Sequence, residues 1–130
     1  MVLRSPLAFL LPFLILASCD LVKQRENREV RHFERTGVKA HTFLAADGPH
    51  FAWTRSTGKP KLMLIHGITG SALTQWSGNA DRLAEHFDLI LPDLIGHGRS
   101  TQQWSGNSVD AQVAHLILIL DSLGVHGPID

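Results

Sequence analysis

The sequence predicts an α/β fold in which strands and helices alternate, and three observations carry that prediction. Residues 62–65 and 87–91 are apolar runs, the second broken only by Asp88, and such runs are typical of strands that are covered on both faces. Apolar residues between the two runs recur at helical spacing. Each run also leads into a loop that contains glycine. Together these features predict a strand, helix, strand unit with a right-handed crossover.

A hairpin is expected before this unit. Residues 41–45 and 50–54 read as two modest strands, and they flank the turn-rich sequence Ala46-Asp47-Gly48-Pro49. An antiparallel pair of strands therefore precedes the parallel strands, and helices are expected on both faces of the sheet.

Two helices are predicted. The first lies between the apolar runs, with Asn79 as its candidate N-cap, and its apolar positions are Trp76, Ala80, Leu83, Ala84 and Phe87. The second begins at Ser108, whose hydroxyl can cap it, and ends before Gly124, which supplies a left-handed stop. Its apolar stripe is predicted as Val109, Val113, Leu116, Ile117, Leu120 and Leu123. Leu118 and Ile119 widen this stripe. We therefore expect the helix to need a larger apolar surface to pack against than these 130 residues provide.

Composition excludes several classes of function. The chain has 130 residues, of which 44% are hydrophobic and 18% are charged, with a formal net charge of zero. These values are ordinary for a globular protein and give no electrostatic argument for a nucleic-acid partner. Eight histidines raise the question of a metal site, but no cysteine pair, His-Glu-x-x-His pattern or close histidine pair at helical spacing supports one. We therefore predict neither a metal nor another cofactor.

The N-terminal segment is predicted to lie outside the fold. Residues 6–16 are apolar, interrupted by Pro12, and too short to span a bilayer, which is typical of an export signal over residues 1–18. The sequence Leu16-Ala17-Ser18-Cys19 resembles the lipobox of bacterial lipoproteins, in which the cysteine is lipidated and becomes the new N-terminus. Cys19 is the only cysteine of the chain. The alternative is an ordinary secretory signal followed by a chance cysteine.

Residues 19–35 are dense in charge and are interpreted as a tether, either a solvated spacer or a segment whose slight cationic excess favours anionic head groups. The fold is expected to occupy residues 36–130. Asp20 resembles an inner-membrane retention signal. The predicted location is therefore the bacterial cell envelope, with a lipid anchor at Cys19 and the fold on the periplasmic or extracytoplasmic side of the inner membrane.

Two ordered motifs resemble the α/β-hydrolase superfamily over residues 36–130. The first is His66-Gly67 after a buried strand, with Trp76 and Leu83 along the following helix. The second runs from Pro92-Asp93 to Gly96-His97-Gly98-Arg99-Ser100. The resemblance implies the N-terminal half of an α/β-hydrolase fold, incomplete as given. It also implies that the strand at 62–65 pairs on one side with the strand near Leu89 and, here, has its other edge unpaired.

The loops that follow the two strands form the candidate site, because ligands of open α/β sheets bind beyond the carboxyl ends of the strands. Gly67 and Gly70 are expected to use positive φ, which frees an amide for a developing oxyanion. By resemblance that donor is the backbone N–H of Ile68, while His66 and Gly67 shape the loop. A catalytic base is the alternative for His66.

The second loop is interpreted as a structural turn. Asp93 is expected to fix the loop by accepting hydrogen bonds from backbone amides, with a site carboxylate as the alternative. Gly96, His97 and Gly98 are expected to form the turn itself, His97 being held between the two glycines.

The residues that would carry out hydrolysis are not found in the sequence. The superfamily needs a nucleophile on a G-x-S-x-G elbow or a variant, then an acid and a histidine. The nearest match, Gly106-Asn107-Ser108-Val109-Asp110, lacks the final glycine and a preceding apolar strand. The elbow is expected about one strand length beyond Asp130. Its nucleophile can be serine, aspartate or cysteine.

Two functions remain open. In the first, the chain is the N-terminal part of a membrane-anchored hydrolase that acts on an ester or similar bond of a small-molecule substrate, and these 130 residues alone are inactive. In the second, it is a non-catalytic lipoprotein module or the decayed remnant of a hydrolase.

Overall fold

The computed structural model describes residues 7–103 and 108–130, and it describes side chains from residue 21 onward. The elements in chain order are α1 (Leu7–Arg35), β1 (Lys39–Ala45), β2 (Gly48–Thr54), β3 (Lys61–Met63), α2 (Ala72–Trp76), α3 (Ala80–Ala84), β4 (Asp88–Asp93) and α4 (Val109–Ser122).

The strands form one mixed sheet in the order β1-β2-β4-β3. β1 and β2 make the predicted hairpin, with Ala45 opposite Gly48 at its tight end. β2 pairs with β4 in antiparallel orientation, whereas β3 pairs with β4 in parallel, with Lys61 opposite Asp88. The predicted fold class, an incomplete α/β arrangement in which a hairpin precedes parallel strands, is confirmed.

The centre of the sheet is β4, and all six of its residues are buried. Leu89 and Leu91 belong to a hydrophobic core that also contains Trp53 of β2 and Ala72 and Ala80 of the short helices. Because successive strand residues point to opposite faces, His50 lies on the face away from that core, where it contacts α4.

The strand predicted at residues 62–65 is shorter and less covered than expected. β3 ends at Met63, its three residues are only half-buried, and Ile65 is 48% exposed. The second edge of β3 was expected to be unpaired, and this expectation is wrong. The amide of Asp130 donates to the Lys61 carbonyl (3.1 Å), and the Met63 amide donates to the Asp130 carbonyl (2.9 Å). Coverage is partial because Asp130 contributes a single residue to that edge.

The helix predicted between the two apolar runs is in fact two short helices. Ser71 begins α2 with a capping box, in which its hydroxyl accepts from the Thr74 amide and its own amide donates to the Thr74 hydroxyl. Asn79 is the N-cap residue of α3, as predicted, but its side chain makes no capping hydrogen bond. Gly78 and Asn79 interrupt the helix because both are poor helix formers.

The helix α4 begins and ends as predicted but packs through a different face. The Ser108 hydroxyl accepts from the Ala111 amide (3.2 Å), and Gly124 has φ +66°. The buried residues are His115 and Ile119. Of the predicted stripe, Val109, Val113 and Ile117 are exposed, at 80%, 48% and 52%, whereas Leu116, Leu120 and Leu123 are half-buried. The contact between His115 and His50 of the sheet turns this other face inward.

The last turn of α1 packs on the core. Phe33 is fully buried and meets Trp53 edge to face at a centroid distance of 5.4 Å. Arg25 and Glu29 form an exposed ion pair at 2.9 Å. In the part of the chain that the structure describes, no helix is long and apolar enough to cross a membrane. The boundaries at residues 18 and 35 stay predictions, and both residues 1–6 and the side chain of Cys19 lie outside the described residues.

Candidate active site

Asp93 joins three parts of the chain at the carboxyl end of β4. Its side chain, 2% exposed, accepts hydrogen bonds from the amide of Ala72 (2.7 Å) at the start of α2 and from the amide of Arg99 (2.9 Å). Its carbonyl accepts from the Ser100 hydroxyl (2.5 Å) and lies 2.8 Å from Nε2 of His115 on α4. Both carboxylate oxygens thus hold backbone amides, which is the geometry expected of a loop-fixing residue.

The turn after β4 requires glycine at two positions. Gly96 and Gly98 have φ values of +81° and +53°, where other residues are strained. A Cβ atom on Gly98 would also lie 2.1 Å from Oδ2 of Asp93. The turn therefore closes around the carboxylate only because Gly98 has no side chain.

The loop after β3 does not use the positive φ expected of Gly67 and Gly70, since neither is among the glycines with positive φ in the described residues. Glycine is favoured at position 70 by lack of space, because a Cβ atom there would lie 2.8 Å from Nε2 of Gln75. Gln75 also accepts a hydrogen bond from the Gly67 amide through Oε1 (2.9 Å). This support from α2 was not predicted, because nothing in the local sequence links Gln75 to Gly67.

His66 is buried and has both ring nitrogens in contact with the backbone. Nε2 accepts from the Leu94 amide (3.0 Å), so the proton lies on Nδ1, which is 2.7 Å from the Gly67 carbonyl. The described chain has no cis peptide bond, and the C=O and N–H of a trans peptide point in opposite directions. Holding the Gly67 carbonyl therefore directs the Ile68 N–H away from the His66 ring.

The two loops and the helix α1 enclose an open cleft of about 870 Å³. Ile68 lies at its edge with a side chain that is 78% exposed. The described residues offer no acceptor to the Ile68 amide, in contrast to the Gly67 amide. The cleft is lined by Val22, Arg25, Glu26, Glu29, Ile68, Thr69, Gly70, Ser71, Leu73, Thr74, Gly96, His97 and Gly98. Chemically, this arrangement can present one backbone N–H to an oxyanion.

A second polar cluster was missed from the sequence because its members are far apart along the chain. Nδ1 of His50 lies 2.5 Å from Nδ1 of His115, and Nε2 of His50 lies 2.8 Å from Oδ1 of Asp47. Because His115 donates to Asp93 through Nε2, its Nδ1 is the acceptor and His50 is the donor. His50 therefore joins Asp47 of the hairpin turn to His115 of α4.

Burial and hydrogen bonding act on the titration of this cluster. Burial lowers the pKa of His115, because the charged ring loses water. The hydrogen bond from His50 lowers the pKa of Asp47. Within the described ranges, no group of three or more His, Cys, Asp or Glu side chains is placed to hold a metal ion.

Gly98 and Gly124 provide a matched test of the Asp93 turn. Both have positive φ, but a Cβ on Gly124 meets nothing within 4 Å. We expect Gly124→Ala to lower the free energy of unfolding by about 1–2 kcal/mol through backbone strain alone. Gly98→Ala should lower it by a further ~1–3 kcal/mol, because the methyl group displaces the carboxylate. Urea unfolding measures both, and equal losses would contradict the role of Asp93 in the turn.

His115 should make stability depend on pH. The folded state holds its pKa below the ordinary value of 6.5, so its contribution is complete above that pH and is lost as the pH falls below it. We expect the Tm to fall from pH 7.5 to 5.5, and to fall less in His115→Gln, whose amide can still donate to Asp93. His126→Gln, at an exposed position, is the control. The same decline in all three proteins would rule out this origin.

Comparison with known proteins places the chain in a family. The model of the α/β-hydrolase fold family matches residues 60–129. An uncharacterised protein of Mycobacterium tuberculosis is 37% identical over 82 residues, which are 61% of this chain and 24% of that protein. Lipase 3 of a Moraxella species is 34% identical over 90 residues, covering 68% of this chain and 28% of the lipase.

The solved structures agree with this placement. The crystal structure of a candidate lipase from Acinetobacter baumannii superposes with a TM-score of 0.69 at 25% identity, covering 79% of this chain and 35% of that protein. The chain spans about a quarter of the length of the curated relatives that it matches. On its fold, its two glycine loops and these matches, the chain belongs to the α/β-hydrolase fold family.

Proposed function

We propose that the chain is the N-terminal part of a membrane-anchored hydrolase that acts on an ester or similar bond of a small molecule. The observation that carries this proposal is the position of the Ile68 amide at the edge of a cleft. The neighbouring Gly67 has its carbonyl in contact with the His66 ring and its amide hydrogen-bonded to Gln75. A preorganised N–H of this kind stabilises the charge that develops during acyl transfer.

The proposed step is addition of a nucleophile to the substrate carbonyl. A bond forms between the nucleophile and the carbonyl carbon while the base takes the proton of a serine or cysteine nucleophile, the π electrons move to the oxygen, and the Ile68 N–H donates a hydrogen bond to that oxyanion. The carbonyl then forms again, the bond to the alcohol breaks, and the proton returns to the departing alcohol oxygen. His66 and Gly67 keep the amide in position through the contact of the ring with the Gly67 carbonyl. The nucleophile, whether serine, cysteine or aspartate, and its acid and base are proposed to follow Asp130.

The similarity to Lipase 3 over 68% of this chain supports an ester as the substrate class. The share of that lipase that is matched, 28%, supports a catalytic apparatus completed elsewhere in a longer protein. The 130 residues by themselves are therefore proposed to be inactive.

The anchor is proposed to be lipid attached to Cys19, with the fold on the periplasmic or extracytoplasmic side of the inner membrane. Val22 and Arg25 line the cleft and lie only a few residues after Cys19 in the same helix. Anchoring at this point would keep the cleft close to the bilayer surface, where ester-containing amphiphiles are concentrated.

The role of the Ile68 amide can be tested in the protein that is encoded through the in-frame sequence after the Asp130 codon. Ile68→Pro removes the N–H and should lower kcat for p-nitrophenyl butyrate by about 10²–10³-fold. Ile68→Ala keeps the N–H and shortens a side chain that is mostly exposed, so it should lose far less. Equal kcat values in the two variants, or ester cleavage by residues 19–130 alone, would contradict the proposal.

Lipidation can be tested in cells. Wild-type protein should incorporate radiolabelled palmitate and sediment with membranes, whereas Cys19→Ser should do neither, because the thiol is the proposed acceptor. Ser18→Ala is the control, since alanine preserves the small residue before the cysteine. Label in Cys19→Ser, or wild-type protein in the soluble fraction, would show that Cys19 is not the anchor.

A further inference from the structure

His97 connects the two glycine loops. Its Nε2 lies 2.7 Å from the carbonyl of Ile68, in the loop after β3, and its Nδ1 lies 3.0 Å from the carbonyl of Ile95, in the loop after β4. The ring also packs edge to face against His66 at a centroid distance of 5.3 Å. His97 is therefore more than a turn residue between two glycines, because it contacts the candidate oxyanion loop directly.

The contact with Ile68 completes the restraint on that residue. His66 holds the peptide before Ile68 through the Gly67 carbonyl, and His97 holds the peptide after it through the Ile68 carbonyl. The Ile68 N–H lies in the plane of the preceding peptide, and φ and ψ of Ile68 join that plane to the plane of the following peptide. Fixing the carbonyl of the following peptide therefore limits how far the plane that carries the N–H can rotate. With one peptide free, the amide could rotate away from the cleft.

We propose that His97 is a positioning residue for the Ile68 amide, acting through the hydrogen bond between its Nε2 and the Ile68 carbonyl. The catalytic consequence of this inference rests on the proposed function. The contact between His97 and Ile68 is observed independently of that function. A neutral ring carries one N–H, and the shorter of the two contacts, to Ile68, is the one that holds the loop.

The fixed base of the turn makes this bridge effective. Gly96 donates its amide to the Thr101 carbonyl (2.8 Å), and the His97 amide donates to the Leu94 carbonyl (3.0 Å). Asp93 holds the same turn from within through the Arg99 amide. The imidazole is thus mounted on a rigid turn, while Ile68 lies in a loop with an exposed side chain. The turn after β4 can therefore set the position of the Ile68 carbonyl.

Two amide variants separate the contacts of His97. The amide nitrogen of Gln reaches about as far from Cα as Nε2 of His, whereas that of Asn reaches about as far as Nδ1. His97→Gln should therefore keep the hydrogen bond to the Ile68 carbonyl, whereas the shorter amide of His97→Asn reaches only the Ile95 carbonyl. Because both variants are polar and neutral, a difference between them reports the contact rather than the loss of the ring.

The first readout is independent of hydrolysis. In the 130-residue chain labelled with ¹³C and ¹⁵N, the carbonyl resonance of Ile68 should move upfield in His97→Asn and stay near its wild-type position in His97→Gln. The order parameter of the Ile68 amide should fall in His97→Asn from about 0.85 toward 0.6 or below. The amide resonance of Arg99, which donates to Asp93 in the same turn, should stay unchanged in His97→Asn and shows that the turn is intact. An Ile68 carbonyl that does not respond to His97→Asn overturns the proposal.

The second readout uses the longer protein that carries the nucleophile. His97→Asn should lower kcat for p-nitrophenyl butyrate by about 10-fold to 100-fold with KM changed by less than about 3-fold, because the amide acts on the transition state. His97→Gln should recover most of that loss. A kcat that is the same in both variants overturns the proposal. If the wild-type protein is inert, the proposed hydrolase function fails, and the carbonyl resonance of Ile68 still decides whether His97 positions the loop.

Discussion

The buried carboxylate of Asp93 is the constraint on which the site depends. A carboxylate removed from water must be fully hydrogen-bonded, and bonds to a charged acceptor contribute about 1.5–3 kcal/mol each. Asp93 accepts hydrogen bonds from the amide of Ala72, at the start of α2, and from the amide of Arg99. Each amide belongs to a segment that borders the cleft, so satisfying one buried charge also places the two segments next to each other.

The side chain of Arg99, the cationic residue nearest to Asp93 in sequence, does not pair with the Asp93 carboxylate. The guanidinium of Arg99 lies over the rings of Trp53 and Phe51, at 4.9 and 5.2 Å from their centroids, while only its backbone amide meets Asp93. Trp53 in turn packs against Phe33 at the end of α1. The turn after β4 is therefore tied to the aromatic core and, through it, to the helix that forms the other wall of the cleft.

Three of the four buried or bridging histidines contact backbone groups, each in a different part of the site. His66 and His97 hold the peptides on either side of Ile68, whereas His115 joins α4 to the carbonyl of Asp93. None of these contacts needs a charged ring, and burial disfavours the charge on His115 by lowering its pKa. His50 differs because it lies between Asp47 and the unprotonated nitrogen of His115.

The sequence by itself determined the elements that follow from local chemistry. Hydrophobic runs predicted the two strands that became β3 and β4, Ser108 and Gly124 marked the ends of α4, and the glycine motifs located both loops. The tertiary structure alone decided which face of α4 is buried, because His115 finds His50 across the sheet. It also decided how Gly70 is used, since its constraint is the side chain of Gln75 rather than its own φ. Periodicity and propensity act between near neighbours, whereas these outcomes depend on side chains that meet only after the chain has folded.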